Sequence, residues 1–180
     1  MRTFKLFKEP AHWWSMNDHA AVFDVVTRLG AKRVLEFGPG SSTLALIEAG
    51  ATAIDTCESD PDWAQVWEAR LQTKYPEIVK VHRYDSAEPL SILAVDAQKY
   101  DLALIDGPRA IEERPAAIKY ALARSAAVLV PTEDVYPEFR AVIAKLAKSR
   151  RLRMDLLETG PLQGAFALLT RRSHGLPDQH

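Results

Sequence analysis

Five short apolar runs in this sequence carry acidic residues at or near their ends, and the first also carries a glycine turn. The first run ends Glu36-Phe37-Gly38-Pro39-Gly40-Ser41-Ser42-Thr43, with its acid just inside the boundary. The second closes on Glu58 and Ser59, the third on Asp85 and Ser86, the fourth on Asp106, Gly107 and Pro108. The fifth closes on Thr132, Glu133 and Asp134. If such runs are parallel strands, their carboxyl ends share one rim, and ligands bind in the crevice outside it. Carboxylates gathered there repel one another, so something must offset their charge. A pyrophosphate is poorly matched. The dinucleotide fingerprint G-x-G-x-x-G has Thr43 where its third glycine belongs, and Glu36 would stand beside the phosphates. A nucleoside cofactor with no phosphate and a net positive charge fits the rim better. Glu58, 22 residues beyond Glu36, suits a bidentate grip on two ribose hydroxyls, a device that dinucleotide sites also use.

The elements that must position these residues follow from periodicity. Val22, Val25, Val26 and Leu29 share one helical face from Asn17 onward, and Gly30 stops that helix. A strand over 33–37, a helix over 42–49 and a strand over 51–57 come next. Asp60 and Pro61 read as the N-cap and first residue of a helix whose apolar face is Trp63, Val66, Trp67 and Leu71. The pattern then predicts a strand over 79–84, a helix or loop over 87–99, a strand over 100–106 and a helix over 114–125. A strand over 127–131 follows, then a helix over 138–148 with Phe139, Val142, Ile143 and Leu146 on its core face. This alternation predicts right-handed βαβ units and a parallel sheet covered on both faces. The ending differs. Segments 151–157 and 164–172 are joined by too few residues for a crossover helix, so they predict a hairpin and an antiparallel last strand. The expected fold is α/β: a doubly wound, seven-stranded, mostly parallel sheet with an antiparallel last strand and helices on both faces. Residues 1–16 read as an N-terminal arm or lid, 17–172 as one domain and 173–180 as a tail.

The run from Val34 to Thr43 resembles the first motif of class I S-adenosylmethionine-dependent methyltransferases. The resemblance extends over about 17–172, including the seven-strand order with its terminal hairpin. It implies S-adenosylmethionine as cofactor, with its amino acid portion over Glu36, Gly38, Pro39 and Gly40 and the following Ser41, Ser42 and Thr43. It implies Glu58, with Ser59, at the ribose and Asp85, with Ser86, at the adenine amino group. Asp106 falls beside the transferred methyl group. The competing role for each acid is a helix cap or a solvated strand end; for Glu58 that competes least, because Asp60 already supplies the next cap.

Methyl transfer is an in-line displacement, so the protein must supply position and a nucleophile without its proton. Asp106 and Arg109 are the catalytic candidates. Asp106-Gly107-Pro108 followed by Arg114 resembles a subset of small methyltransferases with Ile-Asp-Gly here. Catechol-type relatives bind a divalent cation through an acid at this strand end and two more after the fifth strand, which would map to Asp106, Glu133 and Asp134. Such a cation would lower the pKa of a substrate hydroxyl. The match is incomplete, because the Glu133-Asp134 pair departs from that pattern and Arg109 stands where many of those enzymes have lysine. An arginine stays protonated, so it anchors an anion and cannot be a base. No metal is assigned; Glu133 and Asp134 read first as caps of the helix that follows. His12, His19 and His82 are available bases, each more simply structural. Trp13 and Trp14 either pack the N-terminal arm or wall a substrate pocket.

The composition, 47% hydrophobic and 26% charged, is that of an ordinary globular domain. A net charge of −1 provides no field toward nucleic acid or an anionic membrane. The one basic run, Lys148, Arg150, Arg151 and Arg153, reads as cations complementing a helix C-terminus rather than as a phosphate-binding patch. Cys57 is the only cysteine, which excludes an intrachain disulfide, and its apolar neighbours predict an inert thiol. Neither a signal peptide nor an apolar membrane span is recognisable, so a cytoplasmic protein is expected. The leading expectation is a methyltransferase for a small molecule, acting at oxygen, with no nucleic-acid or membrane partner and with oligomerisation open. Two alternatives stand beside it. One is an aminopropyl transferase on the same scaffold, for which the extra N-terminal β domain is missing. The other is a catalytically inactive or partner-dependent cofactor-binding module.

Overall fold

The central apolar runs become strands buried on both faces. A computed structural model describes residues 16–85, 99–108, 110–132, 137–158 and 165–171. In chain order its elements are α1 (Met16–Leu29), β1 (Arg33–Phe37), α2 (Ser41–Glu48), β2 (Ala53–Glu58), α3 (Pro61–Lys74) and β3 (Val79–Arg83). Then come β4 (Tyr100–Ile105), α4 (Arg114–Arg124), β5 (Ser125–Thr132), α5 (Pro137–Ser149), β6 (Leu152–Glu158) and β7 (Ala165–Arg171). The seven strands form one sheet in the order β3-β2-β1-β4-β5-β7-β6. β7 runs antiparallel to both β5 and β6, and the remaining pairs are parallel, as the short final connection predicts.

Each central strand alternates between two cores. Val34, Leu102 and Leu104 join residues of α1, α2 and α3 in one layer, whereas Leu35, Phe37, Ala103 and Ile105 join α4 and α5 in the other. Both layers are apolar, so the strands read as continuous hydrophobic runs rather than as alternating ones. From β1 the chain steps outward to β2 and β3, then returns to β4 on the other side of β1. That reversal opens a crevice at the carboxyl ends of β1 and β4, where ligands of open α/β sheets bind.

Two helix faces differ from expectation. On α3 the buried residues are Ala64, Trp67 and Leu71, while Trp63 is 46% and Val66 42% exposed. The small Ala64 lets the helix approach the sheet, and Trp63 is drawn instead toward the glycine turn. On α5 the buried residues are Phe139, Ile143 and Ala147, with Leu146 partly buried and Val142 exposed. The stripe there is narrower than side-chain size suggests. Expectations for 1–15, 86–98 and 172–180 lie outside the described residues.

Candidate functional site

Glu36 is a carboxylate placed inside a central strand, in register with Thr56 on β2 and Leu104 on β4. It is fully buried. Oε1 accepts a hydrogen bond from Ser42 Oγ and Oε2 one from Thr43 Oγ1, each at 2.7 Å. Thr43 Oγ1 in turn accepts from the Gly40 amide at 3.0 Å. Gly40 is the N-cap of α2, so one carboxylate ties the strand, the turn and the first helical turn together. Burial carries the Glu36 carboxyl from near 4.5 up to about 7, against the hydroxyls of Ser42, Thr43 and Thr56, which lower it, and with the charge of nearby Asp106 adding to the rise.

The turn is held from the side by a second glycine. Gly38 adopts φ +90°, and a Cβ on it would lie 2.9 Å from the Gly107 nitrogen. A Cβ on Gly107 would lie 3.0 Å from the Gly38 nitrogen. Only two glycines allow the ends of β1 and β4 to approach this closely. The amides of Asp106 and Gly107 both donate to the Phe37 carbonyl, at 2.9 and 2.6 Å, and the Gly38 amide donates to the Cys57 carbonyl at 2.9 Å. Glu58, Gly38 and Asp106 therefore stand at three adjacent strand ends.

Glu58 is half-buried, and its Oε1 accepts from the amides of Ser59 and Asp60 at 2.7 and 2.8 Å. Burial raises its carboxyl, and those amides oppose the shift. The α3 cap is supplied by Asp60, whose Oδ1 accepts from the Asp62 and Trp63 amides, each at 3.0 Å. Glu58 is thus not spent on the cap. Tyr84 follows β3, donates its amide to the Glu58 carbonyl at 3.1 Å, and packs edge-on against Phe37. Asp85 comes next, at the same rim.

Trp63, absent from the sequence candidates, donates its Nε1–H to the Pro39 carbonyl at 2.8 Å. It braces the turn from outside while Glu36 holds it from beneath. The available signal was its position in the first turn of α3, directly after the Glu58 strand end.

No protein-family model and no curated protein sequence matches the chain. Solved structures do match. An O-methyltransferase from Bacillus cereus in complex with SAH aligns with a TM-score of 0.71 at 17% identity, over 90% of this chain and 84% of that one. TomG from Streptomyces achromogenes, an O-methyltransferase involved in tomaymycin synthesis and solved with SAM, aligns with a TM-score of 0.70 at 19% identity, over 90% and 83%. The chain has the class I methyltransferase fold. The 23S rRNA methyltransferase ErmE aligns too, with a TM-score of 0.65 at 16% identity over 93% and 72%.

Within this methyltransferase fold the other sequence candidates separate. Arg114, the first residue of α4, is buried and donates from Nε to the Pro108 carbonyl at 3.0 Å, steadying the loop after Asp106. His19 pairs with Glu48 at 3.2 Å. His82 pairs at 2.7 Å with Asp55, which also accepts from the Tyr100 hydroxyl at 3.0 Å. Burial alone would raise the Asp55 carboxyl, but His82, Tyr100 and Lys80 outweigh it and hold it below its ordinary value. Cys57 is buried, and burial pushes its thiol up. Ser86, Arg109, Glu133, Asp134, His12, Trp13 and Trp14 lie outside the described residues. Among the described residues no group of three or more His, Cys, Asp and Glu is arranged to hold a metal ion, and no helix is long and apolar enough to cross a membrane.

Proposed function

We propose that this protein is an S-adenosylmethionine-dependent methyltransferase that acts on a hydroxyl of a small molecule. The observation that carries the reading is the Gly38-Pro39-Gly40 turn, locked against Gly107 and flanked by Glu58 and Asp106. A turn free of Cβ atoms lets a ligand approach the backbone, and a rim of carboxylates favours a cofactor that is cationic and lacks phosphate. When bound, S-adenosylmethionine supplies an electrophilic methyl carbon on its sulfonium. The chain's residues then bind and orient. Gly38, Pro39, Gly40 and Ser41 cradle the amino acid portion, while Glu36, Ser42 and Thr43 keep that cradle in shape. Glu58, already fixed by two amides, accepts the ribose hydroxyls through Oε2, with Ser59 beside it. Asp85 and Ser86 meet the adenine edge. Asp106 orients the acceptor beside the methyl group, and Arg109 anchors an anionic part of the acceptor. Two O-methyltransferases among the structural matches support oxygen as the acceptor atom. ErmE demonstrates that the fold also serves an RNA substrate; here the net charge of −1 and the acidic rim oppose a polyanion at this crevice.

The reading is tested by thermal shift with S-adenosylmethionine and S-adenosylhomocysteine, with NAD as control. Both methyl-cycle compounds should stabilise the protein and NAD should not. No shift with either overturns the cofactor assignment. A panel of phenols, aliphatic alcohols, amines and carboxylates, scored by formation of S-adenosylhomocysteine, then tests the acceptor. Turnover confined to amines would refute oxygen.

A further inference from the structure

At the rim opposite the glycine turn, where β5 begins, a cavity of about 350 Å³ is lined by Leu122, Arg150, Arg151, Leu152 and Arg171. Its place follows from the register, since Ala127 pairs with Thr170 and Leu152 with Arg171. The length of β5 separates it from the carboxyl-end rim by roughly 20 Å at about 3.3 Å per residue. It is a separate site.

Three arginines converge there from two directions. Arg150 and Arg151 follow α5, and Arg151 takes φ +55°, a left-handed conformation that non-glycine residues seldom adopt. Arg171 ends β7. Complementing the macrodipole of α5 accounts for the first two but not for an arginine on a strand, and about half a negative charge does not neutralise three cations. Two other surface arginines are paired, Arg83 with Glu68 and Arg153 with Asp155. Among the described residues no carboxylate pairs with Arg150, Arg151 or Arg171. Guanidinium forks bind the oxygens of phosphate groups bidentately, and Leu122 and Leu152 offer an apolar surface to the uncharged remainder of a ligand. We propose that this cavity binds a phosphorylated small molecule of about mononucleotide size, a volume at the lower end of small-ligand pockets.

ADP is a suitable probe, with adenosine as the control without phosphate, in calorimetric titrations of the full chain. ADP should bind one to one, adenosine should not bind here, and saturating S-adenosylhomocysteine should leave the ADP affinity unchanged. Arg171→Gln and Arg151→Gly should each weaken ADP about tenfold or more, whereas Arg153→Gln should not. Arg151→Gly relieves the left-handed backbone, so its melting temperature should hold or rise, which separates lost binding from lost folding. Absence of ADP binding at millimolar concentration overturns the proposal. So does ADP binding that survives both variants, or that competes with S-adenosylhomocysteine. An RNA oligomer whose binding depends on Arg171 while ADP fails to bind would replace the small molecule with nucleic acid.

Discussion

Replacing Glu36 with glutamine removes a buried charge while keeping the shape that supports the glycine turn. In the folded protein this carboxyl titrates near 7 instead of near 4.5, because burial disfavours its ionised form more than Ser42 and Thr43 favour it. A raised carboxyl means that the folded state holds the proton more tightly than the unfolded chain. The associated stability is fully present below pH 4.5 and is lost as pH rises through 7. At about 1.4 kcal/mol per pKa unit the whole effect is about 3 kcal/mol, most of which falls between pH 5 and 8.5. Glu36→Gln has no such term. Urea denaturation of both proteins, followed by tryptophan fluorescence at intervals between pH 5 and 8.5, reads the difference directly. Contributions from groups distant from Glu36 are common to both proteins and cancel. Wild-type stability should fall relative to Glu36→Gln by about 2–3 kcal/mol across the range. Two parallel pH profiles, separated by a constant, would refute the reasoning.

The remaining predictions concern the same rim. Glu58→Ala should weaken S-adenosylhomocysteine binding about 10- to 100-fold in calorimetry, the equivalent of one or two charge-assisted hydrogen bonds; unchanged affinity contradicts the ribose assignment. Gly107→Ala should destabilise the protein by about 1–3 kcal/mol, because its new Cβ meets backbone that cannot retreat. Gly38→Ala should cost about 1 kcal/mol more for its positive φ, and a Gly107→Ala protein as stable as wild type would deny the close approach. Trp63→Phe should cost about 1 kcal/mol or less in stability, since the indole is half exposed and one hydrogen bond is lost. Its cofactor affinity should drop a few-fold through loosening of the turn, and equal affinity would remove Trp63 from the site.

The strand sequence and the final hairpin were legible because apolar runs, their spacing and the lengths of their connections are local properties. The α3 and α5 faces were less so. A helical pattern says which residues share a stripe, but rolling the helix by one position exchanges Trp63 and Val66 for Ala64 without changing the period. Size favoured the tryptophan; close approach to the sheet favours the alanine. Glu36 carried a readable signal, an acid within Val34-Leu35-Glu36-Phe37 with two hydroxyl residues at the start of the next helix. Gly107 did not. Its role depends on which strand lies beside β1, and that neighbour is 68 residues away in the sequence. Most of the acid series on the rim was visible beforehand, yet only the register brings Gly38, Glu58 and Asp106 side by side.

An acidic rim of this kind would be self-defeating if every carboxylate were equivalent, and here they are not. Glu36 faces inward, and both its oxygens are occupied by hydroxyls of α2. Glu58 is anchored through one oxygen by two amides, and its carboxylate also interacts with the Ser59 hydroxyl. The inner acid therefore shapes the turn, while Glu58 and Asp106 stand at the ends of the strands on either side of it. The arrangement also makes the charge count adjustable: near neutral pH the protonation of Glu36 relieves its repulsion with Asp106. A cation entering the crevice would attract both and lower the Glu36 pKa again. Cofactor binding below pH 7 should then release a proton in the wild type and none from this position in Glu36→Gln, measurable as a buffer-dependent heat in calorimetry. Identical buffer dependence in the two proteins would place Glu36 beyond the electrostatic reach of the bound cation and confine it to holding the turn.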